Sequence, residues 1–269
     1  MAVGHYENFP VASVLLPARL RRPVKLIYGF ARSADDFADE GDAHPEARLA
    51  ALERYRNELR RIQAESTPET PLFLQLSATI AEFRLPLDPF FALLDAFSQD
   101  VVKGRYADFS EVLHYCERSA NPVGALLLHL FEAATPENLR YSDAICTGLQ
   151  LVNFWQDVEL DYRKGRIYLP GDEMARFGVS ERDIATHEAG PAWQNLLAYQ
   201  VDRTRAMLES GAPLARSLPG RIGLELRLIV QGGLRILEKL DTAHGDMFRH
   251  RPVLRPVDWP LMFWRALRM

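Results

Sequence analysis

Long apolar runs, cysteine and strand-like alternation are all scarce in this 269-residue chain, and each scarcity narrows what the chain can be. No stretch approaches the uninterrupted apolar length of a membrane-spanning helix, so a soluble body is expected. The opening Met1-Ala2-Val3-Gly4-His5-Tyr6-Glu7 has no basic flank followed by an apolar run. No secretory signal is therefore expected, and the reading is cytoplasmic, with at most a peripheral contact at the inner face of the membrane. Only two cysteines occur, Cys116 and Cys146, and neither sits in a C-x-x-C or histidine-rich setting. They read as reduced thiols inside apolar helical patterns. Basic residues are outnumbered, 32 against 36 acidic, for a net charge of −4, so a nucleic-acid partner is not expected. An anionic substrate is still compatible, because a site can be locally positive or recruit a metal. No glycine-rich phosphate-binding turn follows a strand, so no NAD(P)H or FAD site is expected. Repeats, low-complexity segments and linkers are absent as well, which leaves one domain over residues 1–269 with a short tail from about 252.

What is present is helical periodicity. Apolar residues recur at three- and four-residue steps along most of the chain, an all-α signature that predicts about eight to ten helices. Prolines such as Pro23, Pro45, Pro71, Pro122, Pro170, Pro191 and Pro219 suit first turns and loops better than helix interiors. Ser180 reads as an N-cap, and Asn121-Pro122 as an N-cap followed by the first helical residue, with Gly124 allowing a close helix approach.

Two segments break the usual rule that the inner face of a helix is apolar. In PVKLIYGFARSADDFADE (23–40), Val24, Ile27, Tyr28, Ala31 and Ala34 mark an apolar stripe that Asp35 and Asp39 continue, with Asp36 beside them. In a helix expected from about Ala144 to Asp161, Leu149, Asn153, Asp157 and Asp161 fall at successive four-residue steps. Carboxylates are seldom buried without partners, and like charges at this spacing weaken a helix, so something cationic is expected to offset them. Two inward-facing pairs on separate helices make an all-oxygen cage that suits Mg²⁺, with retained waters and phosphate oxygens, rather than Zn²⁺. Diphosphate is the natural third party. From periodicity alone, solvated helix ends remain an alternative.

The string from Tyr28 to Asp39 resembles the first aspartate-rich motif of the squalene and phytoene synthase family of head-to-head isoprenoid synthases. LVNFWQDVELD (151–161), followed by Lys164-Gly-Arg166-Ile-Tyr168-Leu-Pro170, resembles the second, and the resemblance runs from about Tyr6 to about Lys239. It implies the all-helical class I isoprenoid synthase bundle, with more than one Mg²⁺ held by Asp35, Asp36, Asp39, Asn153, Asp157 and Asp161 at the mouth of a deep apolar pocket. Asp35, Asp39, Asp157 and Asp161 are the expected catalytic set. Within the family, the opening HYENFPVAS (5–13) and the string NFWQDV (153–158) are most similar to bacterial hydroxysqualene synthases of hopanoid pathways. The implied reaction ionises presqualene diphosphate, rearranges the cation and captures it with water. Other enzymes would then supply presqualene diphosphate and reduce the hydroxysqualene.

Supporting residues carry two readings each. Arg32 donates to diphosphate or merely pairs with Asp36 one turn on. Arg166 and Tyr168 form a flap over diphosphate or a solvated basic turn, and Arg118, with Lys103 and Arg105, is an anion contact or surface charge. Phe9 and Tyr28 line a carbocation pocket or belong to the core. The resemblance also shows departures: the family's extra tyrosine in the stretch matching Tyr115–Gly124 is missing, Glu117 and Arg118 occupying those places, and Gln156 stands where an arginine is common. Those departures favour the second half-reaction over the joining of two prenyl diphosphates to make squalene or phytoene. A third reading, a non-catalytic assembly factor, sits badly with carboxylates on core-facing stripes. The tail from Pro256 to Met269 mixes aromatics with arginines, as suits a membrane interface as well as packing on its own body.

Overall fold

The computed structural model describes residues 16–41, 43–249 and 251–269, so Phe9 and the HYENFPVAS string lie outside the described residues. Helices follow one another along the chain: α1 (Ala18–Asp39), α2 (Pro45–Gln63), α3 (Pro71–Phe83), α4 (Asp88–Val102), α5 (Phe109–Ser119), α6 (Asn121–Leu130) and α7 (Pro136–Gln156). After them come α8 (Val158–Arg163), α9 (Gly171–Phe177), α10 (Glu181–Ala185), α11 (Pro191–Gly211), α12 (Leu214–Ser217), α13 (Gly220–Thr242) and α14 (Trp259–Arg268). Ten of these are ten residues or longer, the number that periodicity predicts. The extra four are too short to show a repeat in sequence. Among the described residues the only β pairing is an isolated parallel bridge between Arg105 and Ile167.

Proline placement explains most helix starts, since Pro45, Pro71, Pro136 and Pro191 occupy first turns, where the missing N–H costs nothing. Pro23 departs from the expectation: it lies inside α1, which begins earlier, at Ala18. Ser180 caps α10 in a capping box with Asp183. Asn121 is the first residue of α6 rather than its cap, and its side-chain oxygen accepts from Thr147 Oγ1 (2.9 Å), tying α6 to α7. Gly124 is where those helices meet, since a Cβ there would stand 2.2 Å from Ser142 Oγ.

The apolar interior has one cluster on α1–α4 and α6, around Phe30, Phe73 and Phe90, and another spread over α5, α7, α11 and α13, around Trp155 and Trp193. Both indoles are buried and satisfied, Trp155 donating to Thr204 Oγ1 and Trp193 to Gly245 O, each at 2.8 Å. The expected stripe on α1 is displaced. Leu20, Ile27, Phe30, Ala34 and Ala38 face the core, whereas Tyr28, Ala31, Asp35 and Asp39 lie on the adjoining face. Arg48 of α2 holds the last turn of α1, bonding Ala38 O, Gly41 O (2.6 Å) and, through Nε, Ala43 O (2.9 Å). It supplies the positive charge that α1 lacks at its own C-terminus.

The tail packs on its own body. Asp258, 2% exposed, ends a 3₁₀ turn (Pro256–Asp258) ahead of α14 and accepts from Arg235 Nε (2.8 Å), Lys239 Nζ (2.5 Å) and Arg255 N (2.7 Å). Burial alone would raise its carboxyl, but the bonds from Lys239, the Arg255 backbone and Arg235 outweigh it and hold the group at about 2, below its usual 3.8. Its contribution is therefore complete above pH ~4 and lost as pH falls toward ~2. Asp258→Asn is expected to cost about 2 kcal/mol at neutral pH. Urea unfolding of both proteins checks it: the gap between them should close as pH approaches 2, and a gap independent of pH would remove the ion-pair account.

Candidate active site

α1, α4, α7 and α8 converge on a polar chamber of about 480 Å³, and beside it lies an apolar chamber of about 350 Å³. Leu149 lines both. Arg32, Asp35 and Asp39 of α1 line the polar side, facing Leu149, Asn153, Asp157 and Asp161, the four-residue ladder read from the sequence. The apolar side is walled by Val24, Ile27 and Tyr28 of α1, Leu127 of α6, and Ile222 and Leu226 of α13.

The second aspartate helix is not continuous. α7 stops at Gln156, Asp157 sits between helices at φ −111° and ψ 15°, and α8 begins at Val158. The i to i−4 bonds nevertheless run through the break, Asp157 N to Asn153 O (2.9 Å) and Asp161 N to Asp157 O (2.8 Å). The ladder therefore keeps its direction. The Arg251 guanidinium clamps the Asp157 carboxylate, with Nη2 donating to Oδ2 at 3.0 Å.

Across the chamber, Asp39 is paired with Lys164 Nζ (2.5 Å) and Arg166. Both cations come from the segment after α8, whose continuation is tied to Gly104–Ala107 by backbone bonds. Ile167 N donates to Gly104 O, Gly171 N to Tyr106 O and Asp172 N to Ala107 O, all at 2.9 Å, and residues 167–170 are buried. Gly104 permits the approach, since a Cβ there would stand 2.5 Å from Gly165 O.

At one side of the polar chamber, Asp100 in the last turn of α4 accepts from Tyr115 Oη (2.6 Å) and Tyr168 Oη (3.2 Å). Phe154 stacks on Tyr168 at 3.8 Å between ring centroids. Burial lifts the Asp100 carboxyl to about 7 against the lowering of its two tyrosine bonds. Asp161 rises to about 8, chiefly through burial and then through the neighbouring Asp157. Asp35 is also raised, by burial ahead of the opposing Arg32 and the reinforcing Asp36.

A sequence model of the squalene/phytoene synthase family matches residues 2–258. The chain belongs to that family. It is 36% identical to the hydroxysqualene synthase of Rhodopseudomonas palustris over 97% of this chain and 88% of that protein. It is 27% identical to the 15-cis-phytoene synthase of Synechococcus elongatus over 91% and 83%. Among solved structures, squalene synthase HpnC from Alicyclobacillus acidocaldarius superposes with a TM-score of 0.82 at 37% identity, covering 89% of this chain and 90% of that one. A dehydrosqualene synthase, at 22% identity and TM-score 0.84, shares the all-helical fold over 94% and 88%.

In this squalene/phytoene synthase family member the structure brings together Arg32, Asp35, Asp39, Asn153, Asp157, Asp161, Arg166 and Tyr168. Tyr28 faces the apolar chamber instead. Asp36 is turned to Arg32 Nη2 (2.9 Å) and is not part of the chamber lining. Arg118 also lies off the lining; its guanidinium donates to Gln99 Oε1 (2.6 Å). Glu117 borders a separate groove with Asn121 and Asp143. Asp100, Tyr115, Lys164 and Arg251 are site residues that sequence reasoning did not single out. Lys164 stood inside a quoted motif; Asp100 and Arg251 carry no local pattern.

The donor set fits magnesium. Five carboxylates line the chamber with three guanidiniums, and burial raises the carboxyls of Asp35, Asp100 and Asp161. Among the described residues no three acidic, histidine or cysteine groups converge tightly enough to hold an ion unaided. An ion here would complete its shell with water and substrate oxygens, the habit of Mg²⁺.

Asp161 supplies a test. An unfolded chain releases this proton near 3.8 and the folded one only near 8, so metal-free stability falls as pH rises between those values. With chelator present, Asp161→Asn is expected to raise the melting temperature at pH 8 by roughly 5 °C or more and to leave it unchanged near pH 4. An equal effect at both pH values would sink the assignment.

Proposed function

We propose that the protein ionises presqualene diphosphate and captures the rearranged carbocation with water, releasing hydroxysqualene and diphosphate. One observation carries the reading: a chamber of paired charges adjoins an apolar chamber, Leu149 lining both, as suits a substrate with an anionic head and a hydrocarbon chain. Similarity to hydroxysqualene synthases, at 36% and 34% identity over most of the chain, supports this member of the family's chemistry.

Asp35, Asp39, Asp157 and Asp161, with Asn153, would hold magnesium, which when bound neutralises the departing diphosphate. Lys164, Arg166 and Arg251 are the cations the chain offers to phosphate oxygens once the carboxylates they now pair with are otherwise engaged. Leaving diphosphate carries away the carbon–oxygen electron pair. Phe154, Tyr115 and Tyr168 line the charged chamber as one packed aromatic group, an environment that can stabilise a cation.

Asp100 takes the last step. Its two tyrosine bonds fix the carboxylate, and a carboxylate so bonded retains lone pairs for one water. As the water oxygen bonds to carbon, one O–H bond breaks and its proton passes to Asp100, a base matched to neutral pH. The net reaction is redox-neutral, so supply of presqualene diphosphate and reduction of the alcohol fall to separate enzymes.

The condensing alternative, squalene or phytoene synthesis from two prenyl diphosphates, gains one observation. Glu117 and Arg118, whose presence argued for a lost first half-reaction, lie off the chamber and remove nothing from it. Incubation with Mg²⁺ and either presqualene diphosphate or farnesyl diphosphate, with products identified by mass spectrometry, separates the two. Hydroxysqualene from presqualene diphosphate alone is expected; a C30 product from farnesyl diphosphate would establish the condensing reading.

Asp100→Asn is expected to keep diphosphate release within about tenfold while cutting the alcohol fraction of the product by about tenfold or more. In the unmodified enzyme that fraction should rise with pH through about 7, because Asp100 accepts a proton only when ionised. An unchanged alcohol fraction in the variant would exclude Asp100 as the acceptor.

A further inference from the structure

α14 buries one face and leaves the other uncovered. Met262 and Ala266 are buried, while Trp259, Phe263, Trp264 and Leu267 are 41%, 47%, 51% and 60% exposed, and Val257 in the preceding turn is 78% exposed. Steps of three and four residues align these side chains on a single face. The face is held in place, because the Asp258 cluster fixes the start of the helix and Arg265 pairs with Glu238. Rigidly displayed tryptophan, phenylalanine and leucine at this density are costly in water.

The border of the face is cationic. From Arg255 to Met269 there are three arginines, of which Arg265 is paired with Glu238, and one acidic side chain, the buried, fully paired Asp258. Arg255 and Arg268 are exposed, and the Arg268 guanidinium lies over the Trp264 ring at 3.9 Å. Tryptophan at the level of headgroups with arginine beside it is the composition of an interfacial helix on an anionic bilayer. A second copy of the chain fits this face less well, since a two-fold contact would set the arginine borders against each other.

Position supplies a second argument. Met269, just past α14, packs against the apolar cluster that includes Leu128, Ile145, Leu214 and Leu218, and those four residues also wall the apolar chamber. The uncovered helix and the chamber therefore share a wall.

We infer that α14 seats the protein on the interface of an anionic lipid bilayer, aromatic face inward, with the α12–α13 wall of the apolar chamber beside the lipid. No helix among the described residues is long and apolar enough to cross a membrane, so this contact is peripheral. It is read without substrate and stands apart from the reaction proposed above.

The full chain is mixed with vesicles of phosphatidylcholine alone or phosphatidylcholine with phosphatidylglycerol, and both co-sedimentation and tryptophan emission are recorded. The phosphatidylglycerol vesicles are expected to sediment the protein and shift the emission of Trp259 and Trp264 to the blue. The Phe263→Glu/Trp264→Glu variant should partition about tenfold less or weaker still, with unchanged far-ultraviolet dichroism. Leu267→Glu, at an exposed site, carries the same expectation if the double variant fails to fold. Failure of the parent protein to bind these vesicles, or equal binding by the variants, overturns the inference. So does self-association that the variants abolish in the absence of vesicle binding, which would assign the face to a second copy.

Discussion

Everything around the polar chamber answers one constraint: carboxylates brought out of water must be neutralised, by protons, cations or both. α1 brings Asp35 and Asp39, α4 brings Asp100, and the α7–α8 junction brings Asp157 and Asp161. The segment after α8 returns along Gly104–Ala107 and delivers Lys164 and Arg166 to Asp39, and Arg251 reaches Asp157 from beyond α13. At Asp161 burial, reinforced by the neighbouring Asp157, outweighs the nearby cations and raises the carboxyl to about 8. The helices are thus coupled through charge as well as apolar packing, and a change in the charge of any one carboxylate is felt by its neighbours across the chamber.

The same geometry separates two tasks. The aspartate ladders and their cations line the polar chamber, while α1, α6 and α13 wall the apolar one. Asp100 occupies a third position, among tyrosine hydroxyls and aromatic faces, with its carboxyl poised near neutrality by burial. The pairing of a polar, charge-dense chamber with an apolar one is what an all-helical bundle with one acidic stripe per inner helix produces when two such helices face each other.

How much of this was legible in the sequence varies with the range of the interaction. The all-α class, the longer helices and the ladder Leu149–Asn153–Asp157–Asp161 follow from local periodicity, and the structure lines one chamber with all four ladder residues. The interruption at Asp157 did not show, because nearest-neighbour bonds persist across it and no proline or glycine marks it. On α1 the period was right and the face was off: Asp35 and Asp39 sit beside the core stripe, where they meet a cavity. Arg251 and Asp100 act through tertiary proximity over separations no local pattern spans. Arg118 misled for the same reason, since a basic residue near a motif has no direction in a sequence and here it turns to Gln99.

The short ribbon between Gly104–Ala107 and residues 165–172 joins the end of α4 to the strand-like run that carries Arg166 and Tyr168. Gly104 is its closest point, with no room for a methyl group. A side chain there would push apart two stretches of backbone that hold opposite ends of the Asp100–Tyr168 bond, so that bond would be disturbed along with the ribbon itself. Gly104 in that sense sets the spacing between α4 and the strip that carries Tyr168, and a tolerated substitution at it would have to be matched by a compensating change on the facing strip.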